Sequence, residues 1–453
     1  MTLAAAIQWE VRPANGGANN GGGFTAGAAG TDYSQQDAAQ KSGTDLAIHA
    51  SDNTQIQPVA AGVAAADVGN VVCISAGTGF TAGLYEITAQ DGTYWTVDRA
   101  TGTTGSTGGT YAMGGARTGY STGTTTLQSS LVAGQKVWIK NEAWNEAVVL
   151  SVAGAAGAPI VHEGYNTTRG DVPTGASRPR NNRASAAGDA ITLSGANQML
   201  KYVWASNAGS QGITSGGSSN HTIVGCRSSN NGGQGFRSVS ASEVAYIGCE
   251  ADTNTGFGFY NGGNQPLVGC YSHDNTGTGL YVDVVGSVSA TFTIIEANAA
   301  HGITGTTRMA KLLNVVVDGN TGASTDGLNL TTPTAGGHAV ALNCIFSNNG
   351  RDGVRATDGD SVYADYNDYF GNAGVARTNF PTGANDQSLD PQFTDRANGD
   401  FSIGANLKAL GWPGLFPGGL STGYLDIGAV QRQEPAGGGG LLVHPGMSGG
   451  MRG

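Results

Sequence analysis

Charge is what this 453-residue chain has least of: 12% of its residues are Asp, Glu, Lys or Arg, and 33 acidic residues outnumber 22 basic ones. A formal net charge of −11 with no basic stripe argues against nucleic acid as a partner, because phosphate contacts need clustered Lys and Arg. Long apolar runs are missing as well, so no membrane insertion is expected. Cysteine is scarce and odd in number: Cys73, Cys226, Cys249, Cys270 and Cys344 are spread too widely for a disulfide scaffold and read as buried free thiols. Close-paired zinc spacing is absent, and neither a metal nor a cofactor is expected. The opening MTLAAAIQWEVRP has no cationic start, and Gln8 and Glu10 break its apolar run, so no secretory signal is read there and assembly in a cytoplasm is expected.

What the chain does have is glycine, 76 residues of it, alongside 39% hydrophobic residues. That balance suits tight turns and closely stacked backbones. A self-similar unit recurs in the middle of the chain, as VGCRSSNNGGQGF, IGCEADTNTGFGF and VGCYSHDNTGTGL, then in looser copies. Its marker positions are Cys226, Cys249, Cys270, Thr293, Val315 and Cys344, which lie 23, 21, 23, 22 and 29 residues apart. Glycines and β-branched residues with period-two alternation make each unit strand, turn and strand, not a helix pair.

Counted from the marker, positions −2, 0 and +2 are expected to face inward: Val224, Cys226 and Ser228, or Ile247, Cys249 and Ala251. Positions +1 and +3, among them Arg227, Glu250, Tyr271, His273 and Glu296, are expected to face outward. Position +5 is Asn at 231, 254, 275, 298, 320 and 349, a residue that tolerates left-handed turns and whose stacked amides bond along a solenoid axis. A glycine then precedes an apolar residue in each unit, as in Gly235-Phe236 and Gly258-Phe259, and is read as a corner.

The fold class expected is therefore all-β, a right-handed single-stranded parallel β-helix solenoid with a small N-terminal β domain and a C-terminal cap. Residues 1–42 read as an N-terminal arm with a short helix around Tyr33 to Lys41, and 43–118 as a small β domain or cap. Residues 130–375 read as the β-helix, of roughly 11 coils at a strand spacing of about 4.8 Å. Residues 376–431 read as a cap over the exposed sheet end, and 432–453 as a Gly-rich tail.

Three stretches, GAPIVHEGYNTTRGD, the repeats themselves, and DYNDYFGN with DPQFTDRANGDFSIG and YLDIGAVQ, resemble the right-handed parallel β-helix, pectate-lyase-like superfamily. The resemblance covers roughly residues 130 to 431. It implies the fold specifically and the function weakly, since that superfamily holds lyases, hydrolases, adhesins, phage tailspikes and inert rods. QWEVRPANGGANNGGGF, DYSQQDAAQ and AADVGNVVCISAGTGF resemble segments that precede β-helices in bacteriophage virion proteins.

Chemistry on such a rod needs aligned acidic or basic groups on an outer face. The best column is position +3, which reads Ser229, Asp252, His273, Glu296, Asp318 and Ser347. Glu296 and Asp318, one strand apart at about 5 Å, would suit a retaining glycosidase pair. A column beside a turn is polar for structural reasons too, and outward basic partners are sparse, with Arg227 and Arg237 to one side of the acids. No catalytic residue is therefore assigned; Asp252, His273, Glu296 and Asp318 are the candidates under a carbohydrate-active alternative. Tyr271, Trp144 and Tyr246 are outward aromatics that would stack on sugars, and Arg169-Gly170-Asp171 spells an adhesion tripeptide by chance.

The function expected from this reading is a non-enzymatic structural protein of a bacteriophage virion: a surface-exposed decoration, fibre or tailspike-like rod. Its partners would be other virion proteins of capsid or tail, met through the terminal segments, with a homotrimer as its assembly and a host surface glycan as a further contact. The alternative is a carbohydrate-active hydrolase or lyase.

Overall fold

The computed structural model describes residues 3–216, 220–239, 243–283, 286–305, 309–331, 338–357, 362–412 and 426–431. The Gly-rich tail at 432–453 and the stretch 413–425 of the expected cap lie outside the described residues. The chain divides into two compact units, 1–182 with 193–203, and 183–192 with 204–453.

In the first unit six strands close a barrel, in the order Lys41–Ile48, Gln55–Pro58, Trp95–Val97, Gly83–Gln90, Val71–Ala76 and Thr107–Met113. Closure leaves no free edge, and Leu46, Ile56, Ile74, Tyr85, Trp95 and Met113 fill it. The N-terminal residues read as an arm contribute a strand: Ile7–Val11 pairs in parallel with Lys136–Lys140, which pairs with Ile160–Tyr165, itself paired with Gln198–Lys201. No helix forms around Tyr33 to Lys41. Asp32 instead accepts the Ser34 amide and hydroxyl, and the next strand begins at Lys41.

The second unit is a parallel β-helix with three faces. Face A holds His221–Val224, Val244–Ile247, Asn264–Val268, Ser287–Thr291, Met309–Leu313, His338–Leu342 and Val362–Asp365. Face B holds Trp204–Ser206, Arg227–Ser229, Glu250–Asp252, Tyr271–His273, Ile294–Glu296, Val316–Asp318, Ile345–Ser347 and Asp368–Phe370. Face C runs from Ile213–Ser215 through Phe236–Ser238, Phe259–Asn261, Leu280–Val282, Ile303–Gly305 and Leu328–Leu330 to Val354–Ala356 and Arg377–Thr378. Each strand pairs in parallel with its counterpart one coil on, so that Arg227 lies beside Glu250 and Glu250 beside Tyr271.

Two left-handed residues bend each coil. The corner between faces A and B falls at Gly225, Gly248 and Gly269, with φ of 59°, 59° and 61°, and at Phe292, Asn314 and Asn343 in later coils. The corner after face B falls at Asn230, Thr253, Asp274, Ala297, Gly319 and Asn348. The first corner interrupts the alternation expected across it. Cys226 and Ser228 do face inward and are fully buried, but on face A the inward residues are Ile223, Tyr246, Leu267, Ala290 and Leu312, whereas Val224 and Ile247 point out. A left-handed residue between two strands shifts the phase by one, which a period-two count carried through the glycine cannot register.

The position +5 asparagines are not the turn residues; they lie one place after them, inside the solenoid. Each side-chain amide donates to the next in line, from Asn231 to Asn254 at 2.8 Å, Asn254 to Asn275 at 2.9 Å and Asn275 to Asn298 at 2.9 Å, and on through Asn320 and Asn349 to Asn372. The same carbonyl oxygens also accept the backbone N–H of the preceding Asn. Crowding from the next coil explains the glycines before the apolar residues. A Cβ at Gly258 would sit 2.0 Å from Ser272 Oγ, 2.7 Å from the Gly279 carbonyl oxygen and 2.9 Å from the Asn275 amide nitrogen. Space against the next coil's interior side chain and ladder amide, not left-handed backbone, requires glycine there.

Candidate functional site

Face B carries the polar column that the repeat predicts. Ser229, Asp252, His273, Glu296, Asp318 and Ser347 are successive register partners, flanked by a second column of Trp204, Arg227, Glu250, Tyr271, Ile294, Val316 and Ile345. Every group in it is engaged. Arg227 holds Asp252 with two bonds of 2.9 and 3.0 Å, reaches Glu250 at 3.5 Å, and lies over the Trp204 ring at 4.5 Å. His273 bonds Asp274 through Nδ1 at 2.9 Å, approaches Glu250 through Nε2 at 3.5 Å, and stacks on Tyr271. Burial alone would lower the His273 pKa, but the bonds to Asp274 and Glu250 and the charge of Asp252 raise it to about 9. Tyr271 donates to Glu296 at 2.6 Å, and Asp318 accepts from Ser347 at 2.7 Å and Asn348 at 2.8 Å and pairs with Arg396.

The column was expected on the solenoid's outer surface, and here the structure corrects the reading. Asp252, His273 and Glu296 are 4%, 4% and 3% exposed and Asp318 is fully buried. Over the coils from Tyr271 to Ile345 the cover is the chain's own C-terminal segment. Phe401, Ile403, Leu407, Ile427 and Ala429 pack on Tyr271, Ile294, Val316 and Ile345 in one apolar cluster, and Arg396 seals Asp318. The expected cap therefore lies along the flank of face B over four coils, because the position +1 column changes from Arg227 and Glu250 to Tyr271, Ile294, Val316 and Ile345, apolar side chains that must be covered.

Glu250, Asp252 and His273 bring two carboxylates and an imidazole within 4.8 Å of one another, a donor set of metal-ligand type. The guanidinium of Arg227 already supplies the positive charge these carboxylates need, and the raised pKa of His273 keeps its ring protonated and not donating to a cation. Glu296 and Asp318 are register partners, but both are buried, at 3% and 0% exposure. The expected thiol file exists: Cys226, Cys249, Cys270 and Cys344 are buried and unpaired in disulfides, and burial, the largest effect, raises the Cys344 thiol to about 12.

None of the three aromatics expected to meet sugars is accessible: Tyr271, Trp144 and Tyr246 are 3%, 5% and 1% exposed. A group of part-exposed rings instead gathers at face C, with Phe257 in the turn before it. Phe257 and Tyr281 stack at 4.6 Å, Tyr260 and Tyr281 at 5.4 Å, and Arg237 lies 6.0 Å from Tyr260. Farther along the same face the buried pair Asp326 and Asp352 is held by Arg351, at 2.7 and 2.5 Å to Asp326, and by Arg355, at 2.6 Å to Asp352. These acids, Asp326 and Asp352, immediately precede the recurring glycine of the TDGL and RDGV units, a position the repeat displayed but the count from the marker passed over. In the first unit Arg169 of the Arg-Gly-Asp tripeptide is consumed internally, bonding Glu10 at 2.6 Å and Asp32 at 3.0 Å.

No curated protein matches the sequence. Among solved structures the chain is similar to the pectate lyase Pel9A, at 14% identity over 68% of this chain and 90% of that one, with a TM-score of 0.45. It is also similar to an alginate lyase from Paenibacillus sp., at 12% identity over 57% of this chain and 92% of that one, TM-score 0.34. A third similar structure is a rhamnogalacturonan lyase, at 12% identity over 61% and 88%, TM-score 0.34. The family model of the right-handed beta helix region matches residues 189–332, and the fold of the chain is that of a right-handed parallel β-helix.

Proposed function

We propose that this chain is a non-enzymatic structural protein of a bacteriophage virion, a β-helical decoration, fibre or tailspike-like component joined to other virion subunits through its terminal segments. The observation that supports a scaffold over an enzyme is the state of face B. Its carboxylates, its histidine and Arg227 are engaged with neighbouring side chains and are nearly or fully buried, so among the described residues of this face no acid, base or nucleophile is presented to a substrate. The virion assignment rests on the resemblance of the N-terminal segments to those that precede β-helices in phage particles. Mass spectrometry of purified phage particles carrying this gene tests it: the chain is expected in fixed ratio to the capsid protein, and its absence from particles refutes the assignment.

A second reading, contact with a glycan along the solenoid, is favoured by the part-exposed rings Phe257, Tyr260 and Tyr281 beside Arg237 on face C. Under it the alternative of a carbohydrate-active enzyme would require Glu296 or Asp318 to become accessible. Incubation with uronate and neutral polysaccharides is expected to yield no cleavage for wild type or Glu296→Gln; cleavage by wild type alone overturns the non-enzymatic reading.

A further inference from the structure

Face B ends on a carboxylate that the solenoid leaves half unsatisfied. Asp368 follows Ile345 in the position +1 column and is fully buried. Residues 387–389 run beside it as a further strand: Gln387 is the parallel partner of Asp368, its N–H donates to the Asn367 carbonyl oxygen, and its own carbonyl oxygen accepts the Tyr369 N–H. One Asp368 oxygen accepts the Leu389 N–H at 2.9 Å, and the other has no partner. Two further carboxylates bracket it. Asp386 accepts the Asn367 N–H at 3.0 Å from a side chain 4% exposed, and Asp390 follows Leu389 in sequence and is exposed to solvent. Burial, and then the charges of Asp390 and Asp386, disfavour ionisation of Asp368. Arg377 is turned to Asp386 at 3.3 Å and lies over the Tyr369 ring, while Asp365 is taken up by the amides of Tyr366 and Asn385.

A buried carboxylate oxygen with no donor, set between two more carboxylates, calls for a proton or a hard cation. We propose that Asp368 and Asp390 hold a calcium ion at this end of face B, with Asp386 adding charge beside them and water and backbone carbonyls completing a shell of about six to eight oxygens. Asp368 anchors the ion from within, and the exposed Asp390 gives it a way in from solvent. Carboxylates carried by a strand and by the irregular segment beside it suit the flexible shell of calcium better than the rigid octahedron of magnesium. The ion takes the place of the proton that Asp368 holds in its absence, so binding and deprotonation go together. It ties residues 387–389 to the last coil, just before the chain turns back to cover face B. No close spacing of ligands marks the site in the sequence, because Asp368 and Asp390 are brought together by the turn between them. The inference stands apart from the virion reading, since it needs only the chain itself.

Thermal melts of the full chain near pH 8, in chelator and in millimolar calcium chloride, test it, with sodium chloride of equal ionic strength as the control. Calcium is expected to raise the melting temperature of wild type by on the order of 2–5 °C, and sodium is not. Asp368→Asn and Asp390→Asn, checked by circular dichroism to keep their strands, are each expected to need at least tenfold more calcium for the same rise. Isothermal titration of wild type with calcium at pH 6 is expected to release about one proton per ion bound. A wild type that melts alike in calcium and chelator overturns the proposal. So does a calcium response that Asp368→Asn retains in full, or binding at pH 6 that releases no proton, since either places the ion away from Asp368.

Discussion

Asp368 shows how one carboxyl reports on the packing of this fold. It ends the face B column, is fully buried, accepts the Leu389 N–H at 2.9 Å through one oxygen and has no hydrogen-bond partner at the other. Burial first, and then the charges of Asp390 and Asp386, raise its pKa to about 7. In the unfolded chain it titrates in the ordinary carboxylate range, so between that range and pH 7 the folded state holds a proton that the unfolded state has released. Stability from this group therefore falls as the pH rises through 7 and is unpenalised in acid. Asp368→Asn is expected to flatten that dependence and to exceed wild type by on the order of 1–3 kcal/mol near pH 8, as read by urea melts in acid and in base. Equal pH slopes for the two proteins contradict the assignment. His273 slopes the same way for the opposite reason. Its folded pKa lies above the unfolded value of 6.5, so the stability it contributes is complete below 6.5 and is lost as the pH passes about 9. His273→Gln is expected to lose stability below neutrality and to match wild type at high pH, in thermal melts across that range. At this scale the sequence was a partial guide: it displayed Cys226 and Ser228 as interior, yet the left-handed Gly225 reversed Val224, because a backbone φ leaves no mark on an apolar count.

Among the elements, the asparagine ladder ties coils together where the chain turns from face B to face C. Asn275 donates to Asn298, to the Ala251 carbonyl oxygen and to Ser272, and accepts from Asn254. Asn275→Ala leaves buried partners on both neighbouring coils and is expected to cost about 2–4 kcal/mol by chemical denaturation, against less than about 1 kcal/mol for Thr304→Ala on the outer side of face C. A cost equal at the two positions would mean that the ladder contributes nothing beyond the strands. The Asn at 231, 254, 275, 298, 320 and 349 was visible as a period, so this element was legible before any coordinates. The flank cover was not, although its mate was in view: the change from Arg227 and Glu250 to Tyr271, Ile294, Val316 and Ile345 announces an apolar stripe without naming what packs on it. Phe401 and Ile403 lie more than 100 residues from Tyr271, and no local period connects them.

For the molecule, the polar column and its cover make one unit of behaviour. Among the described C-terminal residues, Phe401, Ile403, Leu407, Ile427 and Ala429 hide an apolar stripe and Arg396 pairs with the buried Asp318. A chain ending at residue 388 is expected to keep its β-sheet circular dichroism, to bind a hydrophobic dye that the full chain leaves unbound, and to melt at lower temperature. Full retention of stability by the shortened chain would show that the flank contact is dispensable. The repeat made the solenoid legible because each coil is bonded to the next by sequence neighbours some 22 residues apart. The closed barrel was legible only as a run of short strands, since its order, with Lys41–Ile48 beside Thr107–Met113, joins residues that share no motif.

All of this depends on coils lying directly over one another. Anomalous diffraction from the native sulfurs measures that without any substitution: the Sγ atoms of Cys226, Cys249 and Cys270 are predicted to lie in one file at steps of about 4.8 Å. Sulfurs dispersed over the molecule, or separated by much more than a strand spacing, would contradict the stacking and with it the covered column of face B.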